Sequence, residues 1–554
     1  MVSGVTRIRV AALGEISMKK IASLFLLLSL CQLAFADDEK DKDHHHHEDL
    51  TETQLGTVHF PVSCAASVQQ PFQRGVALLH SFWYEEAEKE FLDIAKDDPK
   101  CAMAHWGVAM SLWHQLWNHP DAKVTARGAK EVKGAQKLQK TATAREQAYI
   151  GAAKAFYSGS RKRDYKARAA AYSAAMKNAY EAYPDDHEAA AFYALSLLAS
   201  DENMDHRKQA ADVLEKLFAI EPDHPGVAHY LIHTYDTPVM AELGIPAARR
   251  YAQIAPAAPH ALHMPSHIFA RVGLWQDDIN SNLASVAATR KTAAMGMGGE
   301  GHQFHAMDFL VYAYLQSGRE SEAQTLIEEV KAMPPMHDMY GMGTDPRTYA
   351  LIEFPANYAM ELHHWSEAAA LPEPDNKDAA DASITYWARA IGAARTGKLE
   401  QAKKDLAQIE KIRQKSVADK KTDVSEVIAR DYQEASAWVQ HAEGKDDEAL
   451  VSLRKLADET DKDDNNPEII SAREMLADLL LELKRPQEAL VEYQADLKLR
   501  PKRFNGLYGA ARAAEQAGKQ PDANAYYATL LKSCDGGNST RPELSHAKEL
   551  VAQK

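Results

Sequence analysis

The sequence predicts an all-α repeat array, on three observations. Ala, Leu, Glu, Lys and Gln, all good helix formers, dominate the 554 residues. Apolar residues recur at spacings of three and four, the stripe of an amphipathic helix, whereas the alternating Val, Ile or Thr runs of strands are almost absent. The chain is also self-similar: "KRPQEALVEYQADLKLRP" (484–501) and "GKQPDANAYYATLLKSC" (518–534) align Ala489 with Ala523 and Tyr493 with Tyr527, each 34 residues apart.

The same phrase returns as "FWYEEAEKEFLDIAKDDP" (82–99), "GLWQDDINSNLASVA" (273–287), "SGRESEAQTL" (317–326), "HHWSEAAAL" (363–371), "GKLEQAKKDL" (397–406) and "GKDDEALVSL" (444–453). These residues resemble the tetratricopeptide repeat, in which a small residue and an aromatic precede an acidic-Ala pair and a proline closes the unit. The resemblance covers most of residues 68–537. It implies a right-handed superhelical solenoid of about ten or eleven helix-turn-helix units. Each helix pair cannot bury its apolar face alone, and Ala at the close-contact position lets neighbours approach. The superfamily is a scaffold put to many tasks, so function has to be read from the site.

In chain order, Met18, Lys19 and Lys20, an apolar run to Leu33 and Ala34-Phe35-Ala36 read as a signal peptide over 18–36, behind an upstream extension at 1–17. The expected protein is exported, periplasmic or secreted, and no later apolar run is long enough to span a bilayer. Residues 37–58, "DDEKDKDHHHHEDLTETQLGTV", are polar enough to predict a disordered acidic tail, whose His44–His47 run could hold metal loosely. Cys64 and Cys101 flank one helical hairpin, so an oxidising compartment predicts a disulfide between them and a free Cys534; two buried thiols are the alternative. N-terminal repeats are expected over 59–224, with a longer, displaced helical insertion near 119–165. Central histidine-rich repeats follow over 225–382, then C-terminal repeats over 383–554 that suit a cap or a docking face. The net charge of −15 argues against nucleic acid as a partner, since a phosphate backbone calls for a concentrated basic face.

The central repeats carry the chemistry. The unit opening at Pro225 reads "PGVAHYLIHTYD" and that at Pro259 reads "PHALHMPSHIF". His229 and His263 are 34 residues apart, as are His233 and His267, so a His-x-x-x-His pair recurs at one register of adjacent units. Residues i and i+4 share a helix face. The tetratricopeptide resemblance implies that these positions, with His260, line one concave groove. The next unit, taken to open at Phe304, adds His305 and Asp308. Imidazoles on helices roughly 8–10 Å apart can converge on one transition-metal ion. Secondary candidates are Asp236, Tyr312 and Glu353, with Met336, His337 and Met339 from the loop "MPPMHDMYGMG" (333–343). Imidazole suits copper and zinc, and thioether favours copper. Pro265 either kinks the helix carrying His260 and His263 or starts it, leaving both on the entering loop.

The reading is therefore an exported solenoid that binds copper or zinc in a histidine-lined groove. A protein- or peptide-binding scaffold in the cell envelope is the alternative, and a metal-dependent hydrolase or oxidase using Glu353, Asp308 or Tyr312 as acid or base is a second. His80 and His114, with His105, Trp83, Trp106, Trp113 and Trp117 nearby, form either an aromatic wall for a peptide or sugar or the core of the first hairpins.

Overall fold

The computed structural model describes residues 50–552, apart from 118, 160–162, 202, 298–299, 336–344 and 463–469, and these form one compact unit. The stretches read as signal peptide and upstream extension, tail residues 37–49 and Met336, His337 and Met339 lie outside the described residues.

Helices follow one another from Glu52–Leu55 to Pro542–Ala552, with no strand among the described residues. Local chemistry starts many of them. Asp121, Thr143, Asp164, Asp186, Asn203 and Ser471 each accept a backbone N–H at a helix start. In eight units the inner turn uses one left-handed residue, supplied by Gly273, Gly318, Gly397, Gly444 and Gly518, and by Phe82, His363 and Lys484 at the same register. Five residues later comes the close-contact alanine: Ala87, Ala323, Ala368, Ala402, Ala449, Ala489 and Ala523 are all fully buried. Consecutive helices pack on one another along the array. The array is all-α, built of tetratricopeptide-like helix pairs.

Two expectations need correction. Residues 50–58 are not part of a disordered tail: Glu52–Leu55 is a capped turn of helix, Leu55 and Val58 are buried, and Thr57 N–H donates to the Asp223 carbonyl. Two apolar side chains and a backbone ladder to the core outweigh the polarity around them. The segment near 119–165 is not displaced either. Its helices Ala122–Leu138 and Ala144–Tyr157 continue the consecutive packing between Ala102–Ser111 and Tyr165–Ala182, burying Val132, Ala135, Tyr149 and Phe156. At Pro265 the structure follows the kinked-helix reading. Pro259–His263 and Pro265–Val272 are two short helices joined at Met264, which keeps helical angles. Ser281 and Ser285 hydroxyls from the next helix donate to the Leu262 and Pro259 carbonyls around this break.

Cys64 and Cys101 are joined in a disulfide, with Cα atoms 4.9 Å apart, and Cys534 is a buried free thiol. Trp83, Trp106 and Trp113 are core residues.

The array also closes on itself. Arg503, completely buried, pairs with Glu361 and Glu474 and donates to the Tyr312 hydroxyl, 191 residues away in sequence. Beside it, Phe504 N–H donates to Gln316 Oε1, and Trp275 Nε1–H donates to the Lys502 carbonyl. C-terminal repeats therefore brace the turns just beyond the histidine helices.

Candidate metal centre

Four helices bring the imidazoles together: Pro225–Tyr235, Pro259–His263, Pro265–Val272 and Glu300–Gln316. The histidines form two sets. In the first, His229 Nε2 lies 3.1 Å from His233 Nε2 and 3.2 Å from His260 Nε2. In the second, His263 Nε2 lies 3.0 Å from His267 Nε2, with a His305 ring nitrogen completing a cluster within 4.8 Å. His229, His260 and His263 are buried, His233 and His267 half-buried, and His305 exposed. Metal–nitrogen bonds of about 2 Å in a tetrahedral site place ligand nitrogens roughly 3.3 Å apart, close to these separations.

The other ring nitrogens fix the tautomers. His229 Nδ1 is 2.6 Å from the His80 carbonyl, which can only accept, so Nδ1 carries the hydrogen and Nε2 is a bare lone pair. His263 Nδ1 donates to Asn282 Oδ1 at 2.6 Å; the amide is oriented by Asn282 Nδ2–H donating to Asp278 Oδ1. His267 Nδ1 donates to Asp236 Oδ2 at 2.9 Å. The Nε2 atoms of His263 and His267 thus present lone pairs to each other across 3.0 Å. In the first set, one neighbour could donate to His229 Nε2, but two cannot share its single lone pair. A proton satisfies one such contact at a time; a cation satisfies all three imidazoles at once.

Electrostatics agree with this geometry. Burial holds His229 down at about 3 and His302 at about 4, and drives His233, His260 and His263 well below the usual imidazole range. Neutral imidazole is the form that ligates. Burial would raise the Asp236 carboxyl, yet Arg271 and His267 together hold it far below the usual carboxylate range. An apolar wall closes the first set: the Phe82 ring centroid lies 4.3 Å from His229 and 5.7 Å from His260, and Trp117 lies 5.4 Å from His260. Phe82 sits at φ 53, where most units have glycine, a costly conformation for a bulky residue.

The remaining candidates fall elsewhere. Asp236 orients His267 and pairs with Arg271 Nε at 2.8 Å, behind the ring rather than among the ligand nitrogens. Asp308 does not join either histidine cluster; burial and nearby Glu353 push its carboxyl well above the usual range. Glu353 accepts from the Tyr349 hydroxyl and, like Asp308, is grouped with neither set. Tyr312 is tied to Arg503. One turn of helix explains most of this, since positions 308 and 312 lie farther along their helix than the level at which the imidazoles meet.

Four participants escaped the sequence reading. The helix starts at Glu300 rather than Phe304, which sets His302 on the same face as His305, its ring 4.9 Å from His260. Asp278 stands at the buried position that is alanine in most other units, and Asn282 follows one turn later. A charge in place of that alanine is the signal that could have found them. His80 supplies only its carbonyl, for which no sequence signal exists.

No family model and no curated protein matches the chain. Solved structures similar to it include a tetratricopeptide repeat protein from Parabacteroides merdae (14% identity, covering 53% of this chain and 97% of that one, TM-score 0.28). Others are the human IFIT1 dimer with m7Gppp-AAAA (12%, 81% and 94%, TM-score 0.34) and the P58(IPK) TPR domain (14%, 74% and 99%, TM-score 0.20). Likenesses this distant carry no argument about what the chain binds.

Proposed function

We propose that this protein binds a transition metal, copper or zinc, through the imidazoles of its central groove, as an exported metal-handling solenoid. One observation carries the reading: His263 and His267 both spend their Nδ1 hydrogens on fixed acceptors and turn bare Nε2 atoms toward each other at 3.0 Å. Two lone pairs at that separation repel unless an electrophile lies between them. Outer partners of this kind, a carboxylate and an amide holding the far nitrogen, are what metal-ligating histidines commonly have. A peptide-binding groove would instead spread its imidazoles along its length, each free to meet a different ligand group. Export is supported by the signal-like stretch 18–36 and is compatible with the Cys64–Cys101 bond.

The test is elemental analysis of untagged protein in which His44–His47 are replaced by serine, so that the tail contributes nothing. Copper or zinc should co-purify, or be taken up at micromolar concentration. Failure to bind either ion would leave the peptide-binding scaffold as the better account.

A further inference from the structure

We propose that the two histidine sets fill together, as a pair of cuprous ions with three imidazoles each; this rests on the metal-binding reading above. The sets are adjoining parts of one structure. His260 and His263 lie on the same five-residue helix, their ring centroids 6.3 Å apart, yet one joins each set. One turn along, His267 meets His263 just as His233, one unit earlier, meets His229. His302 against His260 and His305 against His263 continue the pairing from a single helix. Each set thus has three imidazoles within reach of one ion, and neither borrows a ligand from the other.

The donor chemistry selects the charge of the ions. All six clustered donors are imidazoles, which bring no charge of their own as ligands, and the neighbouring carboxylate, Asp236, is already paired with Arg271 and His267. Two dications would put four positive charges into a largely buried space with no anionic ligand, at a heavy desolvation cost. Cuprous ions bring half that charge. Of the metals that imidazole suits, copper is the one with a stable monovalent state. Three ligands per ion leave a coordination position open, and exposed His305 marks the side from which the second set is reached.

The experiment is an anaerobic Cu(I) titration against a chromophoric chelator, on the full chain with His44–His47 replaced by serine. Two equivalents per chain are expected, falling to one in His267→Ala and to one in His233→Ala. X-ray absorption of the loaded protein should give a shell of nitrogen scatterers with imidazole outer-shell features. Should His267→Ala fail to fold, His305→Ala, a change at an exposed position, serves in its place with a lowered affinity for one of the two ions. Binding of a single equivalent overturns the pair while leaving the metal reading intact. Two equivalents that neither variant reduces overturn the assignment to these sets, and Zn(II) held in preference to Cu(I) overturns the charge argument. Uptake of neither copper nor zinc overturns both proposals.

Discussion

A buried histidine cluster lies beside the two central histidine sets, and the two kinds differ in how their ring nitrogens are satisfied. His80, Glu188 and His224 form a cluster as tight as those of the central groove. There every hydrogen has a destination. Val227 N–H donates to His224 Nδ1, so His224 Nε2–H donates to Glu188 Oε1; His80 Nε2–H donates to Glu188 Oε2, and the Tyr230 hydroxyl donates to His80 Nδ1. Burial would raise the Glu188 carboxyl, but His224 and His80 hold it well below the usual range. Gly226 admits this packing, because a Cβ there would lie 2.4 Å from His80 Nδ1. In the central groove the same residue type, equally crowded, meets lone pair to lone pair. Proximity of imidazoles therefore says little; the partner of the far nitrogen decides whether a cluster is complete. The two clusters are also joined, since the carbonyl of His80 holds His229 in its tautomer.

The comparison can be broken most forcefully at Glu188. Glu188→Ala strands two buried imidazole donors and should cost about 3–5 kcal/mol, read by denaturant unfolding. The loss should be equal with and without metal. The open sets should behave in the opposite way. His233→Ala combined with His267→Ala is expected to change apo stability little. At a hundredfold excess over the dissociation constant it should forfeit the roughly 2.7 kcal/mol that each bound ion gives the parent protein, visible as a lost thermal shift. A double variant stabilised as much as the parent would place the metal elsewhere.

Asp236→Asn tests the outer partner. It leaves all six ligand nitrogens in place but removes the charge behind His267, and metal affinity should fall roughly 10- to 100-fold, measured by chelator competition. The smallest effect per step is that of pH. His229, at about 3, and His302, at about 4, are held below the ordinary imidazole value by burial. Below pH ~6.5 the unfolded chain takes up protons that these folded histidines refuse. Apo stability should accordingly fall as pH drops from ~6.5 toward the folded values, by roughly 1 kcal/mol per pH unit for each such histidine. Glu188 adds its own loss only at lower pH, because its depressed carboxyl gives stability that is present above the ordinary carboxylate range. Metal bound to the native state adds stability without moving that onset, so it should lower the pH at which half the protein has unfolded, and a midpoint that ignores metal would count against binding at these histidines.

The fold and the shared face of the central histidines were largely legible in advance, because both depend on local periodicity. The period of 34 residues, the left-handed turn residue and the buried alanine recur wherever a helix pair must nest on its neighbour. His229, His233, His263 and His267 share a face for the same reason. Less legible was anything resting on where a helix begins or breaks. One turn gained at Glu300 brought in His302, and Asp308 and Tyr312, read from a later start, were assigned too near the imidazoles.

By itself, then, the sequence determined the all-α repeat and a crowd of histidines at one register. Tertiary structure alone decided their division into two sets and which nitrogen each ring presents. The physical reason is range. Helical periodicity is written within a few residues, whereas the tautomer of His229 depends on a carbonyl 149 residues upstream. His267 likewise depends on Asp236, 31 residues before it, and the groove's far side is braced by Arg503 from the closing repeats. Such partners meet only once the whole array has stacked and closed, and no local pattern in the chain encodes the meeting.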